Sequence, residues 1–538
     1  MRIRFIAITL IFGVAYALLG FHLYRLQIEK GFYYVKTVQA RNEAAAELEL
    51  RRGQIFFTDR SSTLIPVALN RDYPAIYAVP KEIKNPTSTA AAFASILNWK
   101  EEELAEVLDN PQSLFKLLVD KAAPEQIEAV NNLAFPGIHV SEKQYRFYPF
   151  EKLASGLLGF AGINKNVEKP TGLYGVEKFH DETLAEGKDV KLTVDRNLQA
   201  QSEQILRKLV EDYQAAGGSI IIEEPATGKI LTLANEPGFN PNEYKDYPVK
   251  NFINPAVQYV YESGSVFKPL TMATGIELSA FTPTTTFVDT GSVTLNGKTI
   301  KNSGEQVYGK VDMITVIAKS INTGAVYAEK LIGNARFLEY VKKFGFGAKT
   351  GVDLSDEVPG SVKNLEKKDA RAIDFATASF GQGTAITPLQ LVNAFSVLAN
   401  GGLLMRPYLN QELKPMVIRR VISEETARQV VAMLVTAVER VGVAVIPGFN
   451  MAGKTGTAQV PDFEIGGYTD EFIHSFAGFA PASNPRFVIL IKLDKPKQGE
   501  LARETVMPAF RELAQFILNY YNVAPDKLIE ENSNSSHN

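Results

Sequence analysis

The feature that most constrains the fold is an apolar stretch at the start of the chain. Residues 5–24 contain no Asp, Glu, Lys or Arg, and Arg2 and Arg4 precede them. Twenty helical residues span about 30 Å, which matches the hydrocarbon core of a bilayer. The pattern predicts a cytoplasmic terminus at 1–4 and a transmembrane anchor at 5–24. A cleaved signal peptide is the alternative, because Ala15-Tyr-Ala17 has the form of a cleavage site, but the apolar run continues beyond it.

Composition narrows the classes of function that remain. The 538 residues are 45% hydrophobic and 22% charged, as in globular domains, and the net charge of −3 provides no basic face for nucleic acid. Cysteine is absent, which excludes disulfides and thiolate catalysis. The five histidines form no H-x-x-x-H pair, which argues against a metal hydrolase. We expect two or more domains, no metal and no cofactor.

The region that follows the anchor has the pattern of an elongated α+β domain. Residues 25–190 include a predicted helix at 40–52, a strand at 75–79 and a helical stretch at 90–108. No acid, base and nucleophile are grouped here. We therefore expect this region to be a pedestal that holds the next domain away from the membrane.

Residues 191–525 alternate between strand and helix patterns and predict a second domain. The predicted elements are a strand at 190–194, a helix at 197–213, a hairpin of 219–223 with 230–234, and late strands at 453–460 and 487–493. Residues 387–390, Thr-Pro-Leu-Gln, have the spacing of a capping box, and they predict a helix that runs to Asn400 and ends at two glycines. The polar residues 526–538 predict a disordered tail.

The first candidate for chemistry is Ser265-Val-Phe-Lys268, predicted to open a helix that runs towards Leu278. Residues three apart share a helix face, so the amine is expected to reach the hydroxyl. A serine needs a base to remove its proton, and burial or a second cation lowers the pKa of a lysine enough for that role. The motif alone is weak, because composition predicts about two S-x-x-K matches in such a chain. Ser113-Leu-Phe-Lys116 is indeed a second match.

The second candidate is Ser320-Ile-Asn322, which lies between two helical runs. It offers a hydroxyl that can relay a proton and an amide that can bind a peptide bond in both directions. Taken alone, the pattern is more typical of a helix cap.

The third candidate is Lys454-Thr455-Gly456 followed by Thr457, on a predicted strand. A lysine and two hydroxyls suit a terminal carboxylate, and Gly456 is expected to let a substrate backbone lie close to the strand. A second K-T-G copy at 349–351 lies in a glycine-dense turn. We therefore assign the role to the copy that begins at Lys454.

Residues 448–455 also match the nucleotide-binding pattern G-x-x-x-x-G-K-T. A P-loop must lead straight into a helix whose N-terminus holds phosphate. Gly456, Pro461 and Gly466-Gly467 follow instead, which leaves no room for a helix of useful length. We reject the interpretation as a P-loop nucleotide hydrolase.

In the order S-x-x-K, S-x-N, K-T-G, the three patterns resemble the signature of penicillin-binding proteins and serine β-lactamases. Further segments resemble the class B penicillin-binding proteins. These segments are Arg52-Gly-Gln-Ile55 with Asp59-Arg60, Arg146-Phe-Tyr-Pro149, Gly159-Phe160, Gly172-Leu-Tyr-Gly-Val-Glu177, Tyr261-Glu-Ser-Gly-Ser-Val-Phe-Lys-Pro269, Ser379-Phe-Gly-Gln-Gly383 and Ser475-Phe-Ala-Gly-Phe-Ala-Pro481. Ser263 stands where the family usually has proline.

The resemblance implies a multi-domain α+β fold: a transmembrane helix, a pedestal of the dimerisation type and a β-lactamase-like transpeptidase domain with a five-stranded antiparallel sheet flanked by helices. It implies a peptidoglycan D,D-transpeptidase in which Ser265 forms an acyl-enzyme with a D-Ala-D-Ala stem peptide. The implied roles are base for Lys268, proton shuttle for Ser320, ligand of the substrate amide for Asn322, carboxylate binding for Lys454, Thr455 and Thr457, and an oxyanion hole from the backbone amides of Ser265 and Thr457.

The resemblance also implies partners and a location. These are peptidoglycan stem peptides, β-lactams as covalent inhibitors, a SEDS-type glycosyltransferase and divisome proteins, at the inner (plasma) membrane with the catalytic domain on the periplasmic side. The compact pedestal favours the septal branch over the elongation branch. A β-lactamase-like hydrolase or β-lactam sensor is the main alternative. A division scaffold without activity is a second one, and it predicts a missing motif residue.

Overall fold

The computed structural model describes residues 2–25, 52–163, 170–462 and 466–527. By its internal contacts the chain divides into two compact units, the first made of Met1–Arg52 with Leu69–Phe147 and the second of Gly53–Ala68 with Tyr148–Asn538. Most of the predicted helix at 40–52 and of the predicted tail at 526–538 lies outside the described residues.

The apolar stretch at the start of the chain forms one helix, α1 (Arg2–Tyr24). Over the described part of the chain, no helix combines the length and the apolar character that crossing a membrane requires. The anchor at 5–24 stays a prediction.

The elements up to residue 147 begin in the second unit, with β1 and the first residues of β2, and continue in the first unit. They are β1 (Ile55–Thr58), β2 (Ile65–Ala78), α2 (Pro86–Leu97), α3 (Glu101–Leu108), β3 (Lys116–Val119), α4 (Pro124–Leu133) and β4 (Ile138–Phe147). In the first unit, β2 pairs antiparallel with both β3 and β4, and Ile76, Phe93 and Leu104 are in its core. The helical stretch predicted at 90–108 is two helices, because Asn98 adopts the left-handed conformation (φ 59°) and ends α2.

The second unit contains the remaining elements. In chain order they are α5 (Ser155–Leu158), β5 (Ala161–Ile163), β6 (Pro170–Gly172), α6 (Gly175–Phe179), α7 (Asp181–Ala185), β7 (Val190–Asp195), α8 (Arg196–Asp212), β8 (Gly217–Glu224), β9 (Lys229–Glu236), α9 (Pro255–Gln258), α10 (Lys268–Glu277), β10 (Thr286–Asp289), β11 (Ser292–Leu295), β12 (Lys298–Lys301), β13 (Gly309–Asp312), α11 (Met313–Ala318), α12 (Asn322–Ile332), α13 (Asn334–Lys343), α14 (Lys363–Glu366), α15 (Ala372–Ala378), α16 (Pro388–Ala399), β14 (Leu403–Met405), β15 (Val417–Arg420), α17 (Glu424–Val441), β16 (Ala452–Pro461), β17 (Tyr468–Ala480), β18 (Phe487–Asp494) and α18 (Ala502–Tyr520). The strand, the helix, the hairpin and the two late strands predicted for this region are confirmed as β7, α8, β8 with β9, β16 and β18.

The centre of the second unit is a five-stranded antiparallel sheet in the order β16-β17-β18-β8-β9. Ile220 and Ile222 point to the face covered by α8 and α18, whereas Ile221 packs in the other core, which contains α16. Helices on both faces bury successive residues of one strand, which explains the three consecutive isoleucines in the middle of β8. β16 is an edge strand, so one side of its backbone is open to a ligand.

Helix α16 begins with the predicted capping box. Thr387 Oγ1 accepts a hydrogen bond from Gln390 N (3.1 Å), and Gln390 Oε1 accepts one from Thr387 N (2.9 Å). The helix ends at Ala399, with Asn400 as its C-cap, as the glycines that follow predict. The capped helix is fully buried, so local sequence and tertiary packing specify the same element.

Candidate active site

Ser265 lies in a short 3₁₀ turn, Gly264–Phe267, which leads into α10. The sequence predicts an α-helix from Ser265 onward, but the α-helix begins at Lys268. Gly264 has φ +57°, and its N–H donates to the Gly381 carbonyl oxygen (3.1 Å). A Cβ on Gly381 would lie 2.3 Å from the Gly264 oxygen, so only glycine fits there. The turn that carries Ser265 is therefore packed directly against the backbone at Gly381.

The amine of Lys268 is fully buried, and Nζ donates to the Ser320 carbonyl oxygen (2.6 Å), Ser320 Oγ (3.2 Å) and Asn322 Oδ1 (2.8 Å). The expected hydrogen bond with the Ser265 hydroxyl is not present among these described residues, because the amine is turned towards the acceptors between α11 and α12. Burial, followed by the charge of Lys454, holds the pKa of Lys268 well below its usual range. The two causes of a lowered pKa that the sequence suggests are both present.

Ser320 connects the two lysines. Its Oγ is 3.2 Å from Lys268 Nζ and 3.1 Å from Lys454 Nζ. It adopts the left-handed conformation (φ +57°), uncommon for a residue other than glycine, at the break between α11 and α12. Burial lowers the pKa of Lys454 to about 7. One hydroxyl thus bridges two amines whose pKa values are both lowered by burial, which is a path for a proton.

Asn322 is the first residue of α12, and both ends of its amide are engaged. Oδ1 accepts from Lys268 Nζ (2.8 Å), and Nδ2 donates to the Lys301 carbonyl oxygen (2.9 Å). In this structure the amide orients Lys268. Its role as a ligand of the substrate amide stays a prediction, and a substrate would share or replace one of these bonds.

Gly456 brings β16 against the turn that carries Ser265. A Cβ at this position would lie 2.7 Å from the Ser263 carbonyl oxygen and 2.7 Å from Val266 Cγ2, which is too close for any side chain. The sequence predicts space for a substrate backbone here. The space on the Cβ side is filled by the neighbouring turn, so glycine is required for the close approach of two parts of this chain. The approach of a substrate backbone to this strand stays a prediction.

Thr455 and Thr457 alternate with Lys454 along β16. Thr457 Oγ1 accepts a hydrogen bond from Ala502 N at the start of α18 (3.2 Å), which leaves its hydroxyl hydrogen free to donate. Carboxylate binding by Thr455 and Thr457 stays a prediction. Hydrogen bonds join Lys268, Ser320, Asn322 and Lys454, and the turn that carries Ser265 packs against β16.

The second copies of the motifs have different surroundings. Lys116 is exposed at the start of β3, and Ser113 Oγ donates to the Phe115 carbonyl oxygen (3.1 Å). Lys349 is exposed in a loop in which the N–H and hydroxyl of Thr350 both donate to Glu357 Oε1 (2.7 and 2.5 Å). Neither copy has a buried lysine next to a second amine.

The match to the P-loop pattern is a false one in structural terms. After Lys454 the chain continues as β16 to Pro461, so the glycines and Lys454 lead into a strand and not into a helix. The arrangement cannot hold a phosphate at a helix N-terminus.

Sequence analysis missed the residues that join the walls of the site. Glu262 Oε1 accepts from Gly383 N (2.8 Å) and Oε2 from Tyr468 OH (2.9 Å), and Thr271 Oγ1 donates to the Ser379 carbonyl oxygen (2.7 Å). Glu262 and Thr271, on either side of Ser265, thus link its segment to the Ser379–Gly383 segment, and Glu262 also links it to β17. The S-F-G-Q-G match was an available signal, but it has no residue type that suggests chemistry.

Comparison with known proteins agrees with this geometry. Residues 218–514 match the family model of the penicillin binding protein transpeptidase domain, and residues 48–221 match that of the penicillin-binding protein dimerisation domain. The chain belongs to the class B penicillin-binding proteins. Its two-domain architecture is therefore a dimerisation domain followed by a transpeptidase domain. The predicted boundary at 190–191 stays a prediction.

Several relatives are similar over most of their length. Stage V sporulation protein D from Bacillus subtilis is 32% identical over 497 residues, which cover 84% of this chain and 75% of the relative. Peptidoglycan D,D-transpeptidase FtsI from Escherichia coli is 28% identical over 547 residues, covering 95% and 90%. The crystal structure of penicillin binding protein 3 from Mycobacterium tuberculosis, complexed with aztreonam, superposes with a TM-score of 0.69 at 25% identity and covers 89% of this chain and 98% of that one.

Proposed function

We propose that this chain is a peptidoglycan D,D-transpeptidase that acts through an acyl-enzyme on Ser265. Ser265 attacks the carbonyl between the two terminal D-alanines of a stem peptide, and the terminal D-alanine leaves. An amine of a neighbouring stem peptide then takes the acyl group, which forms a crosslink. The observation that carries the proposal is the Ser320 hydroxyl between the amines of Lys268 and Lys454, beside the turn of Ser265.

Lys268 acts as the base. Because burial and Lys454 hold its pKa well below the usual range, the amine gives up its proton more readily than an ordinary lysine, and the neutral form has a lone pair for the Ser265 proton. Hydrogen bonds of catalytic groups are often looser without substrate than in the reactive complex, so a turn of the lysine side chain towards Ser265 on binding fits this role. Ser320 then passes the proton to the leaving amine.

The oxyanion of the tetrahedral intermediate is bound by the backbone amides of Ser265 and Thr457. The two backbones are close, since a Cβ on Gly264 would lie 3.5 Å from the Thr457 carbonyl oxygen. Loss of one such donor typically costs about 3 kcal/mol of barrier. Lys454, with Thr455 and Thr457, binds the carboxylate of the terminal D-alanine, and the carboxylate in turn favours the charged form of the lysine.

The cellular setting is part of the proposal. Residues 5–24 anchor the chain in the inner (plasma) membrane, and the catalytic domain lies on the periplasmic side. A SEDS-type glycosyltransferase supplies the glycan strand, and septal synthesis is the favoured site of action. Removal of residues 2–24 should release the protein from the membrane fraction, and a fluorescent fusion should locate at midcell. Uniform labelling of the side wall would contradict the septal assignment.

The decisive experiment separates acyl transfer from hydrolysis. The protein is treated with nitrocefin, and the adduct is located by mass spectrometry of peptides. We expect one stoichiometric burst and an adduct on Ser265. Repeated turnover would favour a β-lactamase-like hydrolase, and an adduct on another side chain would overturn the mechanism.

A further inference from the structure

The helix that carries Asn322 has no N-cap of its own. Ile321 precedes α12 and makes no capping hydrogen bond with its side chain. The acceptors that cap the helix come from two earlier segments, and Thr323 donates the hydrogen bonds to them. The Thr323 N–H donates to Asn302 Oδ1 (3.1 Å), and the Thr323 hydroxyl donates to Asp289 Oδ1 (2.6 Å). Asp289 is the last residue of β10 and Asn302 directly follows β12, so residues from two antiparallel strand pairs, β10 with β13 and β11 with β12, hold the start of this helix.

Asp289 is a buried carboxylate, 1% exposed. Burial raises its pKa, but hydrogen bonds from the Thr323 hydroxyl, the Gly291 N–H and the Tyr308 N–H outweigh it, so the pKa of Asp289 lies below its usual range. The group is therefore ionised at neutral pH. A negative charge at the N-terminus of α12 is favoured by the peptide dipoles of that helix.

The same segment contacts Asn322 a second time. Lys301, next to Asn302, provides the carbonyl oxygen that accepts from Asn322 Nδ2 (2.9 Å). The helix start is thus held through Thr323 and the amide through Lys301, which leaves Asn322 Oδ1 directed at Lys268 Nζ (2.8 Å).

We propose that Asp289, Asn302 and Thr323 are positioning residues for acylation: they fix Asn322 and, through it, the amine of Lys268. The proposal rests on the proposed function, because it needs Lys268 to act on Ser265. In the described structure the three residues form no hydrogen bond with the side chain of Ser265 or Lys268, and they match none of the three motifs.

The chain offers a matched control for the Thr323 hydroxyl. Thr426 lies in the first turn of α17, is buried like Thr323, and donates its hydroxyl to Glu277 Oε2 (2.6 Å). Glu277 also accepts from Ser423 N (2.9 Å). Both threonines therefore bond a carboxylate from another segment at a helix start, but the partner of Thr426 is at the far end of α10 from Lys268, and no hydrogen bond joins Thr426 to Asn322 or Lys268 in the described structure.

The test compares Thr323→Val, Thr323→Ser, Asp289→Asn and Thr426→Val with the unaltered protein. Stopped-flow labelling with a fluorescent penicillin gives the acylation rate constant at saturation and the apparent dissociation constant separately, and only the fraction that labels is counted. We expect Thr323→Val to lower the rate constant roughly ten- to a hundredfold, because a small misplacement of a catalytic group has effects of that order. Thr323→Ser should restore it, and in Thr323→Val the rate constant should fall by a larger factor than the dissociation constant rises.

Thr426→Val should lower the melting temperature as Thr323→Val does, yet acylate at the unaltered rate. An unaltered rate constant for Thr323→Val overturns the inference, and so does an equal loss in Thr426→Val. If Thr323→Val does not fold, Asp289→Asn, which keeps the shape but removes the charge, replaces it with the same expected direction. If the unaltered protein itself is not labelled on Ser265, it is the proposed function that fails.

Discussion

The pattern S-x-x-K occurs twice in this chain, and the two lysines have opposite environments. Lys268 has no exposed surface and lies beside Lys454, whereas Lys116 is exposed at the start of β3. An exposed ammonium keeps its hydration, and only a desolvated one loses its proton near neutrality. Spacing along the sequence allows a serine and a lysine to meet, but burial decides whether the lysine can be a base.

The two K-T-G copies differ in the same way. Lys454 is 5% exposed on an edge strand that contacts the turn of Ser265, whereas Lys349 is exposed in a loop. Thr350, in the second copy, is bonded to Glu357 and so caps its own loop. Variants at matched positions of each pair test whether environment or spacing gives the motif its chemistry.

The largest difference is expected between Ser265→Ala and Ser113→Ala. Ser265→Ala should abolish covalent labelling by a fluorescent penicillin, because the acyl acceptor is removed. Ser113→Ala should leave labelling intact, since Ser113 only donates to the Phe115 carbonyl oxygen. Gel fluorescence at equal protein concentration measures both. Loss of signal in the Ser113 variant would reverse the assignment of the two copies.

The next largest difference is expected between Lys268→Met and Lys116→Met. Loss of a general base typically costs about 10²- to 10⁴-fold in rate, so Lys268→Met should slow acylation by that order. Lys116→Met should have no effect. Acylation rate constants, with circular dichroism to confirm folding, give the comparison. Equal rates for Lys268→Met and the unaltered protein would mean that another group removes the Ser265 proton.

A smaller difference is expected between Lys454→Ala and Lys349→Ala. A hydrogen bond to a charged group contributes about 1.5–3 kcal/mol, so loss of Lys454 should weaken penicillin binding roughly ten- to a hundredfold. Lys349→Ala should bind as the unaltered protein does. The apparent dissociation constants from stopped-flow labelling decide between them, and similar values in both variants would remove carboxylate binding from Lys454.

Several features of the fold and of the site could be predicted from the sequence, because they depend on local patterns. The run Ser219–Glu223 reads as a strand and the Thr387–Gln390 capping box marks a helix start, and both are confirmed. The lowered pKa of Lys268 also follows from the two causes that the sequence suggests. The strand and the helix start are each specified by residues a few positions apart. The pKa of Lys268 follows from the general rule that burial and a nearby cation lower the pKa of a lysine.

What could not be predicted depends on contacts between distant segments. Gly456 is glycine because the turn of Ser265 packs against it, about 190 positions earlier in the chain. Lys268 turns to Ser320 and Asn322 and not to Ser265, because their acceptors lie within reach only after folding. The carboxylate that accepts the hydrogen bond of the Thr323 hydroxyl belongs to Asp289, 34 residues away, and no local sequence motif predicts this contact.

The smallest expected effect is a pH dependence that only one K-T-G copy should produce. Burial lowers the pKa of Lys454 to about 7, so the side chain is charged below about pH 7 and increasingly neutral above it. A carboxylate is bound more strongly by the charged form. The apparent dissociation constant for penicillin should therefore rise as pH increases above about 7, and it should do so equally in Lys349→Ala.

Lys454→Ala removes the titrating group, so its weaker binding should be flat over the same pH range. The measurement is the apparent dissociation constant between pH 6 and 9, with acylation rates fitted separately so that the ionisation of Lys268 does not enter. A slope that persists in Lys454→Ala would assign the titration to another group. A slope that disappears in Lys349→Ala would mean that the exposed copy, and not the buried one, senses the carboxylate. Since an exposed lysine gains little from a carboxylate, the pH dependence should come from the buried copy alone, and only Lys454→Ala should give a flat response.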